Sequence, residues 1–203
     1  PVWVRCNLNL ASKEEILAAL KKQQVSAEQV EGFDSMLALS EYDHMESLDA
    51  FQKGWIQVQD ISSALVGELA APEKGSYIID VCAAPGGKSL HLADKMEGTG
   101  CVEARDLTYQ KVALIEENAS RMGALNIKAV QWDATEFDPE SENKADLVIA
   151  DLPCSGLGII GRKPDIKYHT TKENLRELSK LQKEILSVVW KYVKPGGRLI
   201  YST

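Results

Sequence analysis

The sequence predicts an α/β protein with a doubly wound, mostly parallel sheet, preceded by a small α+β piece. From Gly75 onward, short apolar runs alternate with amphipathic segments of helical period, which is the pattern of successive βαβ units. The runs SYIIDV and ADLVIA lack polar alternation, as expected for strands that are covered on both faces. Crossovers between parallel strands are right-handed, so we expect helices on both sides of the sheet.

The N-terminal piece is predicted to comprise residues 1–55, and the main domain residues 56–203. The opening stretch VWVRCNL alternates like a strand. Ser12 and Glu15 have the spacing of a capping box, and a helical apolar stripe follows them. Residues 24–50 are irregular and give only a weak signal for a strand and a turn. FQKGWIQVQD then predicts a short strand at the junction.

The main domain contains the clearest elements. In chain order they are the helix SSALVGELA, the strand SYIIDV, the helix KSLHLADKM, the strand CVEARDL, the helix TYQKVALIEENASRM, the strands IKAVQW and ADLVIA, a long helix and the strand RLIYST. Thr108 is expected to cap the third of these helices and Gly123 to end it. Thr170 and Glu173 form a second capping box before the long helix, and KPGG is expected to terminate it.

Composition excludes several classes of protein. A hydrophobic content of 44% and a charged content of 26% are those of a globular chain with a sizeable core. No apolar run approaches the roughly 18 residues of a membrane span and no signal peptide opens the chain, so we expect a cytoplasmic protein without a membrane partner. The four cysteines form no C-x-x-C pair and the three histidines are scattered, which argues against a metal site.

Charge gives a mixed indication about nucleic acid. The net charge of −7 argues against a polyanionic partner, because phosphate binding needs clustered lysine and arginine. The stretch GRKPDIKYH nevertheless carries Arg162, Lys163, Lys167 and His169 against Asp165. This basic run fits either a solvated loop or a phosphate-contacting loop.

The most informative motif is DVCAAPGGKS, which follows a predicted strand. Ala83, Ala84, Gly86 and Gly87 allow backbone to approach a ligand closely, and the helix N-terminus behind them offers free N–H groups. GGKS resembles the end of a phosphate-binding P-loop, but that motif needs a glycine where Cys82 stands. The G-x-G-x-x-G of dinucleotide folds is absent as well. The remaining alternative is a nucleoside site of the methyltransferase kind.

Three acids favour the nucleoside site, because each lies at the end of a predicted strand. Asp106 follows the glycine loop by about twenty residues, where a carboxylate accepts hydrogen bonds from both ribose hydroxyls. Asp133 follows IKAVQW and is placed to meet an adenine amino group. Asp151 ends ADLVIAD. Each acid alone also fits a helix cap or a solvated loop, but three at successive strand ends favour one common site.

Together these motifs resemble the RNA cytosine-5 methyltransferase family, most closely its bacterial Sun-like 16S ribosomal RNA methyltransferases. The resemblance is carried by FQKGWIQVQDISSALV, DVCAAPGGKSLHLA, ARDLT, ADLPCSGLG with GRKPDIKY, and KPGGRLIYST. It implies the Rossmann-like fold of class I S-adenosylmethionine-dependent methyltransferases and S-adenosylmethionine as the cofactor. It also implies an RNA substrate, with ribosomal RNA favoured over transfer RNA, and an N-terminal piece that binds RNA. We expect a monomer.

The resemblance assigns roles to particular residues. The cofactor-binding positions that it implies are Cys82, Ala83, Ala84, Pro85, Gly86, Gly87, Lys88, Asp106, Asp133 and Asp151. Asp151 is also a catalytic residue, whose contact to N3 of the target base requires it to carry a proton. Arg162, Lys163 and Lys167 are assigned to RNA phosphates. Family members commonly have an arginine where this chain has Lys111, which leaves the role of Lys111 open.

Cys154 is the second catalytic candidate; two catalytic roles compete for it, and a small thiol at this position also fits simple packing under the loop. DNA cytosine-5 methyltransferases attack the base with a Pro-Cys cysteine, but they carry a large target-recognition region for which this chain has no room. The RNA family attacks with the cysteine of a Thr-Cys pair after the next strand, and its Pro-Cys cysteine assists product release. That strand reads RLIYST here and ends at Thr203.

We therefore expect a C-terminally truncated domain that completes no methyl transfer unless Cys154 substitutes as the nucleophile. RLIYST is then expected to form an exposed edge of the sheet. The alternative function is that of a non-catalytic protein that binds S-adenosylmethionine or RNA.

Overall fold

The computed structural model describes residues 1–156 and 171–203, which form two sheets with flanking helices. The helices are α1 (Lys13–Lys22), α2 (Asp49–Gln52), α3 (Ile61–Ala70), α4 (Gly87–Lys95), α5 (Tyr109–Arg121) and α6 (Lys172–Val189). The strands are β1 (Val2–Cys6), β2 (Ser26–Gln29), β3 (Met36–Ser40), β4 (Ile56–Val58), β5 (Tyr77–Asp80), β6 (Cys101–Asp106), β7 (Ile127–Gln131), β8 (Ala145–Asp151) and β9 (Val193–Ser202).

The N-terminal sheet has the order β2-β3-β1-β4, and its strands pair antiparallel. The predicted capping box of α1 is present, with Ser12 and Glu15 bonding each other's backbone N–H groups. Strand β4 pairs with β1, so that Val58 lies opposite Val4. The predicted division at residue 55 stays a prediction, but this pairing assigns residues 56–58 to the N-terminal sheet.

The region that lacked a clear sequence pattern contains two strands of this sheet. β3 is buried against the core, whereas β2 reads SAEQ and is half-buried to exposed at the edge of the sheet. A strand with three polar residues in four and no buried face gives no period-two hydrophobic signal. Pairing with β3 decides its conformation.

The main sheet has the order β7-β6-β5-β8-β9, and every pair is parallel, which confirms the predicted fold class. The strand order reverses between β5 and β8. In open α/β sheets a ligand binds beyond the carboxyl ends of the strands at such a switch point. Asp80 and Asp151, the last residues of β5 and β8, therefore lie at the edge where a ligand is expected. Among the described residues, β9 forms the far edge of the sheet.

Most predicted helix ends are confirmed, and two differ. Thr108 caps α5 as expected. The side chain that caps α6 belongs to Thr171, which accepts from the Asn174 N–H, whereas the predicted cap, Thr170, lies outside the described residues. KPGG lies inside β9, so it does not separate the helix from the strand. A Cβ at Gly197 would stand 2.9 Å from the Ala145 carbonyl oxygen, so glycine lets β9 approach β8 where their register shifts.

Two further properties concern the described residues as a set. No helix within residues 1–156 and 171–203 combines the length and apolar content that a membrane crossing requires. The same residues contain no group of three or more histidine, cysteine or acidic side chains arranged to hold a metal ion.

Candidate functional site

The glycine loop joins β5 to α4, and backbone hydrogen bonds within the loop and to β6 hold it in place. Ala83 N–H donates to the Arg105 carbonyl at 2.8 Å, and Gly86 N–H donates to the Ala83 carbonyl at 2.7 Å. Gly86 has a φ of +103° directly before α4, a conformation that side-chain-bearing residues rarely adopt. The loop therefore turns sharply at the edge of the sheet, and its small residues leave room beside the strand ends.

Asp106 fastens this loop to the end of β6. Its Oδ2 accepts from Ala84 N–H at 3.0 Å and its Oδ1 accepts from Leu107 N–H at 2.8 Å. Lys111 Nζ lies 3.0 Å from Oδ1, although the lysine side chain is half exposed. The sequence left the role of Lys111 open. In this structure Lys111 forms an ion pair with Asp106, the acid predicted to bind ribose.

Asp133 lies in the segment that follows β7, and its Oδ1 accepts from the backbone and the hydroxyl of Thr135 at 2.9 and 2.7 Å. Arg105 forms hydrogen bonds to side chains further along the same segment. It donates to Asp138 Oδ2 at 2.8 Å and to Ser141 Oγ at 2.6 Å. Its guanidinium carbon also lies 5.5 Å from the centre of the Trp132 ring. The buried Arg105 therefore fixes the segment that follows β7. This segment carries Asp133 and forms one wall of the site.

Replacing Arg105 with methionine is expected to weaken S-adenosylhomocysteine binding about tenfold, because Asp138 and Ser141 lose their common donor and the wall loosens. Calorimetric titration measures the change. The control is Arg198→Met, since Arg198 likewise donates a hydrogen bond from its guanidinium, to Ala70 O at 2.6 Å, but away from this wall. Equal affinity of the two variants would contradict the role given to Arg105.

Asp151 is held at both carboxylate oxygens. Lys88 Nζ donates to Oδ2 at 2.6 Å, and Ser202 Oγ donates to Oδ1 at 2.7 Å. Lys88 also reaches Ser63 Oγ of α3 at 3.1 Å. The hypothesis that Asp151 carries a proton stays a prediction.

Asp80 is a further acid at this edge, and our sequence analysis did not identify it. It lies at the end of β5, it is 1% exposed, and its Oδ2 accepts from Ser89 Oγ at 2.6 Å. Burial, with a smaller contribution from the nearby Asp151, raises the pKa of Asp80 to about 7. The signal in the sequence was its position, directly before the glycine loop at the end of an apolar strand.

Replacing Asp80 with asparagine is expected to change how stability depends on pH. Because the pKa is raised on folding, Asp80 favours the folded state when protonated, and that contribution is lost as the pH rises from about 4 to about 7. Relative to wild type, D80N should gain about 2–3 kcal/mol of unfolding free energy between pH 5 and pH 8. Urea unfolding of both proteins measures this, and a constant difference would contradict it.

The cysteines near the site differ in environment. Burial, followed by the charges of Asp80 and Asp106, raises the pKa of the Cys82 thiol to about 12, so it is a neutral thiol near pH 7. Cys154 is exposed and follows Pro153 at the mouth of the site. Cys154, rather than Cys82, is therefore the accessible thiol at this edge.

Three cavities adjoin at Asp151. The first, the cofactor cavity, has a volume of about 330 Å³ and lies between the glycine loop, the ends of β6 and β8, and α6. The second, the target lobe, measures about 350 Å³ and includes Ser63, Lys88, Cys154 and Thr203. The third, the β4 lobe, measures about 240 Å³ and lies between Gln57–Gln59 and the glycine loop.

The cofactor cavity has the chemistry that a nucleoside bound to an amino acid requires. Asp106 and Asp133 offer carboxylates from successive strand ends, and Ala84 allows close backbone approach. Leu107, Trp132 and Leu181 supply apolar surface for a purine ring, and they belong to the same lining. Carboxylates accept hydrogen bonds from a ribose diol and from an exocyclic amino group. The residues present therefore fit S-adenosylmethionine.

Most of the residues predicted from sequence for this site lie together. Of the ten cofactor positions, Cys82, Ala84, Asp106, Asp133 and Asp151 line the cofactor cavity, and Ala83, Pro85, Gly87 and Lys88 line the adjoining β4 lobe. Gly86 forms the turn behind them. Arg162, Lys163 and Lys167 lie outside the described residues. The sequence did not single out Asp80, Arg105 or Ser63, because their importance depends on contacts between distant elements.

Comparison with protein families identifies the relatives of this chain. The family model described as 16S rRNA methyltransferase RsmB/F matches residues 68–203. The chain belongs to this family. The family is S-adenosylmethionine-dependent, which confirms the predicted cofactor. The resemblance drawn from CAAPGGK and DLPCSGLG is thereby confirmed at the level of the family.

Individual relatives agree with this assignment. The chain is 36% identical over 206 residues to ribosomal RNA small subunit methyltransferase B of Proteus mirabilis, covering all of this chain and 48% of that protein. It is 43% identical over 154 residues to the probable ribosomal RNA small subunit methyltransferase B of Bacillus subtilis, covering 75% of this chain and 34% of that protein. The chain thus spans about half the length, or less, of the curated relatives it matches.

Solved structures share the fold. The crystal structure of PH0851 superposes with a TM-score of 0.94 at 33% identity, covering 98% of this chain and 45% of that one. A methyltransferase homologue from Pyrococcus horikoshii superposes with a TM-score of 0.83 at 27% identity, covering 99% and 64%. Because both superpositions cover nearly the whole chain, they include the N-terminal sheet as well as the parallel sheet.

Proposed function

We propose that this protein methylates carbon 5 of a cytosine in RNA, and that the RNA is small-subunit ribosomal RNA. The single observation that carries the proposal is that Asp151 and Cys154 line both the cofactor cavity and the target lobe. A cytosine in the target lobe would therefore meet an acid and a thiol at the point where the two cavities join. Cytosine-5 chemistry needs both groups.

The chemistry explains why these residue types matter. Carbon 5 of cytosine is a poor nucleophile until a thiolate adds to carbon 6 and makes the ring electron-rich. When bound, S-adenosylmethionine supplies an electrophilic methyl group. Loss of the carbon 5 proton to a base and departure of the thiol then restore the aromatic ring. The protein must therefore supply a thiolate, stabilise charge on the ring, and assist elimination.

Asp151 and Lys88 together suit the stabilising role. The Asp151 carboxyl group is able to accept a hydrogen bond from the amino group of the base and, when it carries a proton, to donate one to N3. The Lys88 ammonium, 2.6 Å from that carboxylate, carries the positive charge that balances the negative charge developing on the ring. Ser202 orients the same carboxylate from β9.

Cys154 suits the elimination step. Its side chain is exposed at the mouth of both cavities, where the product base leaves. The family resemblance places the attacking thiol at the position directly after Thr203. Thr203 itself lines the target lobe.

The RNA substrate is supported by the relatives, which are named ribosomal RNA methyltransferases. The decisive test is mass mapping of 5-methylcytosine in ribosomal and transfer RNA from a strain that lacks the gene. Loss of one site in small-subunit ribosomal RNA, restored by the intact gene but not by its D151N variant, is the expected result. Loss in transfer RNA alone would favour that substrate. No loss in either would favour a non-catalytic binding protein.

A further inference from the structure

Gln182 of α6 bonds to two strand ends that meet beside the target lobe. Its Nε2 donates to the Pro153 carbonyl oxygen at 2.7 Å and to Thr203 Oγ1 at 3.0 Å. Its Oε1 accepts from the Tyr201 hydroxyl at 2.9 Å. Pro153 follows β8, whereas Tyr201 and Thr203 lie at the end of β9. One half-buried side chain therefore ties the helix to both strand ends.

The chemistry of these partners fixes the direction of the amide. A backbone carbonyl oxygen only accepts hydrogen bonds, so the NH₂ group must face Pro153 and the amide oxygen must face Tyr201. The two N–H bonds of the NH₂ group then serve Pro153 and Thr203, one each. A side-chain amide supplies two donors and an acceptor at once. The residue type at position 182 therefore matters for more than its size.

The amide extends the connection between the two strands beyond their ladder. This ladder reaches Leu152, whose N–H donates to the Ser202 carbonyl oxygen at 2.9 Å. Pro153 and Thr203 are the next residues of the two segments, and the Gln182 amide bonds to both. It therefore holds the two backbones at a fixed separation one residue past the ladder.

That separation sets the position of Cys154. This residue directly follows Pro153, and it lines the target lobe together with Thr203. Because the Cys154 side chain is exposed, the backbone that Gln182 holds, rather than packing, decides where its sulfur lies. Of the three adjoining cavities, as the described residues form them, Gln182 lines none. Its influence on the reaction must therefore pass through the residues that it holds.

We propose that Gln182 is a positioning residue for the Cys154 thiol, and that its amide places this thiol for the elimination step. The inference rests on the proposed function, in which Cys154 assists elimination. In that step a base takes the carbon 5 proton and the released electron pair forms the double bond between carbons 5 and 6. The attacking sulfur then leaves carbon 6 with its bonding pair. Loss of the amide therefore slows elimination, whereas addition of the attacking thiol and methyl transfer proceed.

The test uses the intact protein and an RNA that carries the target cytosine. Gln182→Met keeps the length of the side chain and removes both donors. Turnover should fall about tenfold, the usual effect of losing one or two hydrogen bonds. A covalent complex of protein and RNA should accumulate on denaturing gels. The rate of methyl transfer in a single turnover should stay within about a factor of two of wild type.

Gln182→Glu separates positioning from packing through the pH. This variant keeps the length and the acceptor for Tyr201, but its carboxylate sets a second acceptor against the Pro153 carbonyl oxygen. Protonation turns the carboxyl group into a donor and restores that bond. The turnover of Q182E relative to wild type should therefore rise as the pH falls from about 8 to about 5. A residue that only fills space gives no such relative pH dependence.

The matched control is Gln23→Met, because Gln23 is another half-buried glutamine whose amide joins distant segments. Its Nε2 donates to the Ser47 carbonyl oxygen at 3.2 Å, and its Oε1 accepts from Asp49 N–H at 2.8 Å. These contacts lie within the N-terminal piece. Q23M should therefore form no more covalent complex than wild type.

Wild-type turnover of Q182M without a covalent complex would overturn the inference. Equal slowing of methyl transfer and of release would overturn it as well, by giving Gln182 a general structural role. If thermal melting shows that Q182M does not fold, Q182E decides, and a ratio to wild type that is constant with pH counts against positioning. A failure of the proposed function looks different, since wild type then methylates no cytosine or C154A accumulates no covalent complex.

Discussion

Replacing Asp151 with asparagine in the intact protein is expected to lower kcat for RNA methylation about 100-fold or more. The change removes the charge that pairs with Lys88 Nζ at 2.6 Å and replaces one acceptor oxygen with a donor. The ring would then develop its negative charge beside a mispositioned ammonium group. Losses of this size are typical when one preorganised electrostatic contact is removed from an active site.

The control for this variant lies on the same strand. Asp146 is near the opposite end of β8 and accepts from Tyr77 N–H at 2.8 Å, away from all three cavities. Asp146→Asn should therefore retain kcat within about a factor of two, provided that thermal melting shows it folded. Single-turnover methylation with saturating RNA measures both variants. A D151N rate close to that of wild type would show that Asp151 is not a catalytic residue.

Replacing Cys154 with alanine in the intact protein is expected to trap a covalent complex between protein and RNA. If Cys154 assists elimination, its loss leaves the attack and the methylation intact and slows only the release of the thiol. Turnover should fall about 100-fold, while a species of higher mass accumulates on denaturing gels. Cys101→Ala is the control, because Cys101 begins β6 at the end of the sheet far from the site.

The alternative roles of Cys154 give different results. If Cys154 is the attacking thiol, C154A should show neither turnover nor adduct. If Cys154 only fills space beneath the loop, turnover and adduct should both match wild type. Measuring the covalent species together with turnover therefore shows whether Cys154 assists release, attacks the base or only packs beneath the loop.

The main sheet was predictable because its signals are local. Apolar runs such as that of β8, Ala145–Asp151, identify buried parallel strands by composition alone. The spacing of caps and stripes defines α1 and α5 in the same way, and CAAPGGK and DLPCSG identify the family. The site acids were predictable as well, because the carboxyl ends of parallel strands meet at one edge.

Other features depended on contacts that the sequence does not encode locally. β2 is a strand because β3 pairs with it, and KPGG lies inside β9, where Gly197 allows close approach to β8. Each of these segments has a weak or opposing local preference. Tertiary pairing overrides such preferences, since the hydrogen bonds and burial it provides exceed the small differences in propensity.

The sequence by itself determined the fold class, the family and the acids that surround the cofactor cavity. Only the tertiary structure paired Lys88 with Asp151, buried Asp80, and turned the Gln182 amide by placing Pro153 against its NH₂ group. The physical reason is that residue type and spacing fix which groups reach the edge of the sheet. The charge state and direction of each group depend on neighbours from other elements, 63 positions away for Lys88 and Asp151 and 29 for Gln182 and Pro153.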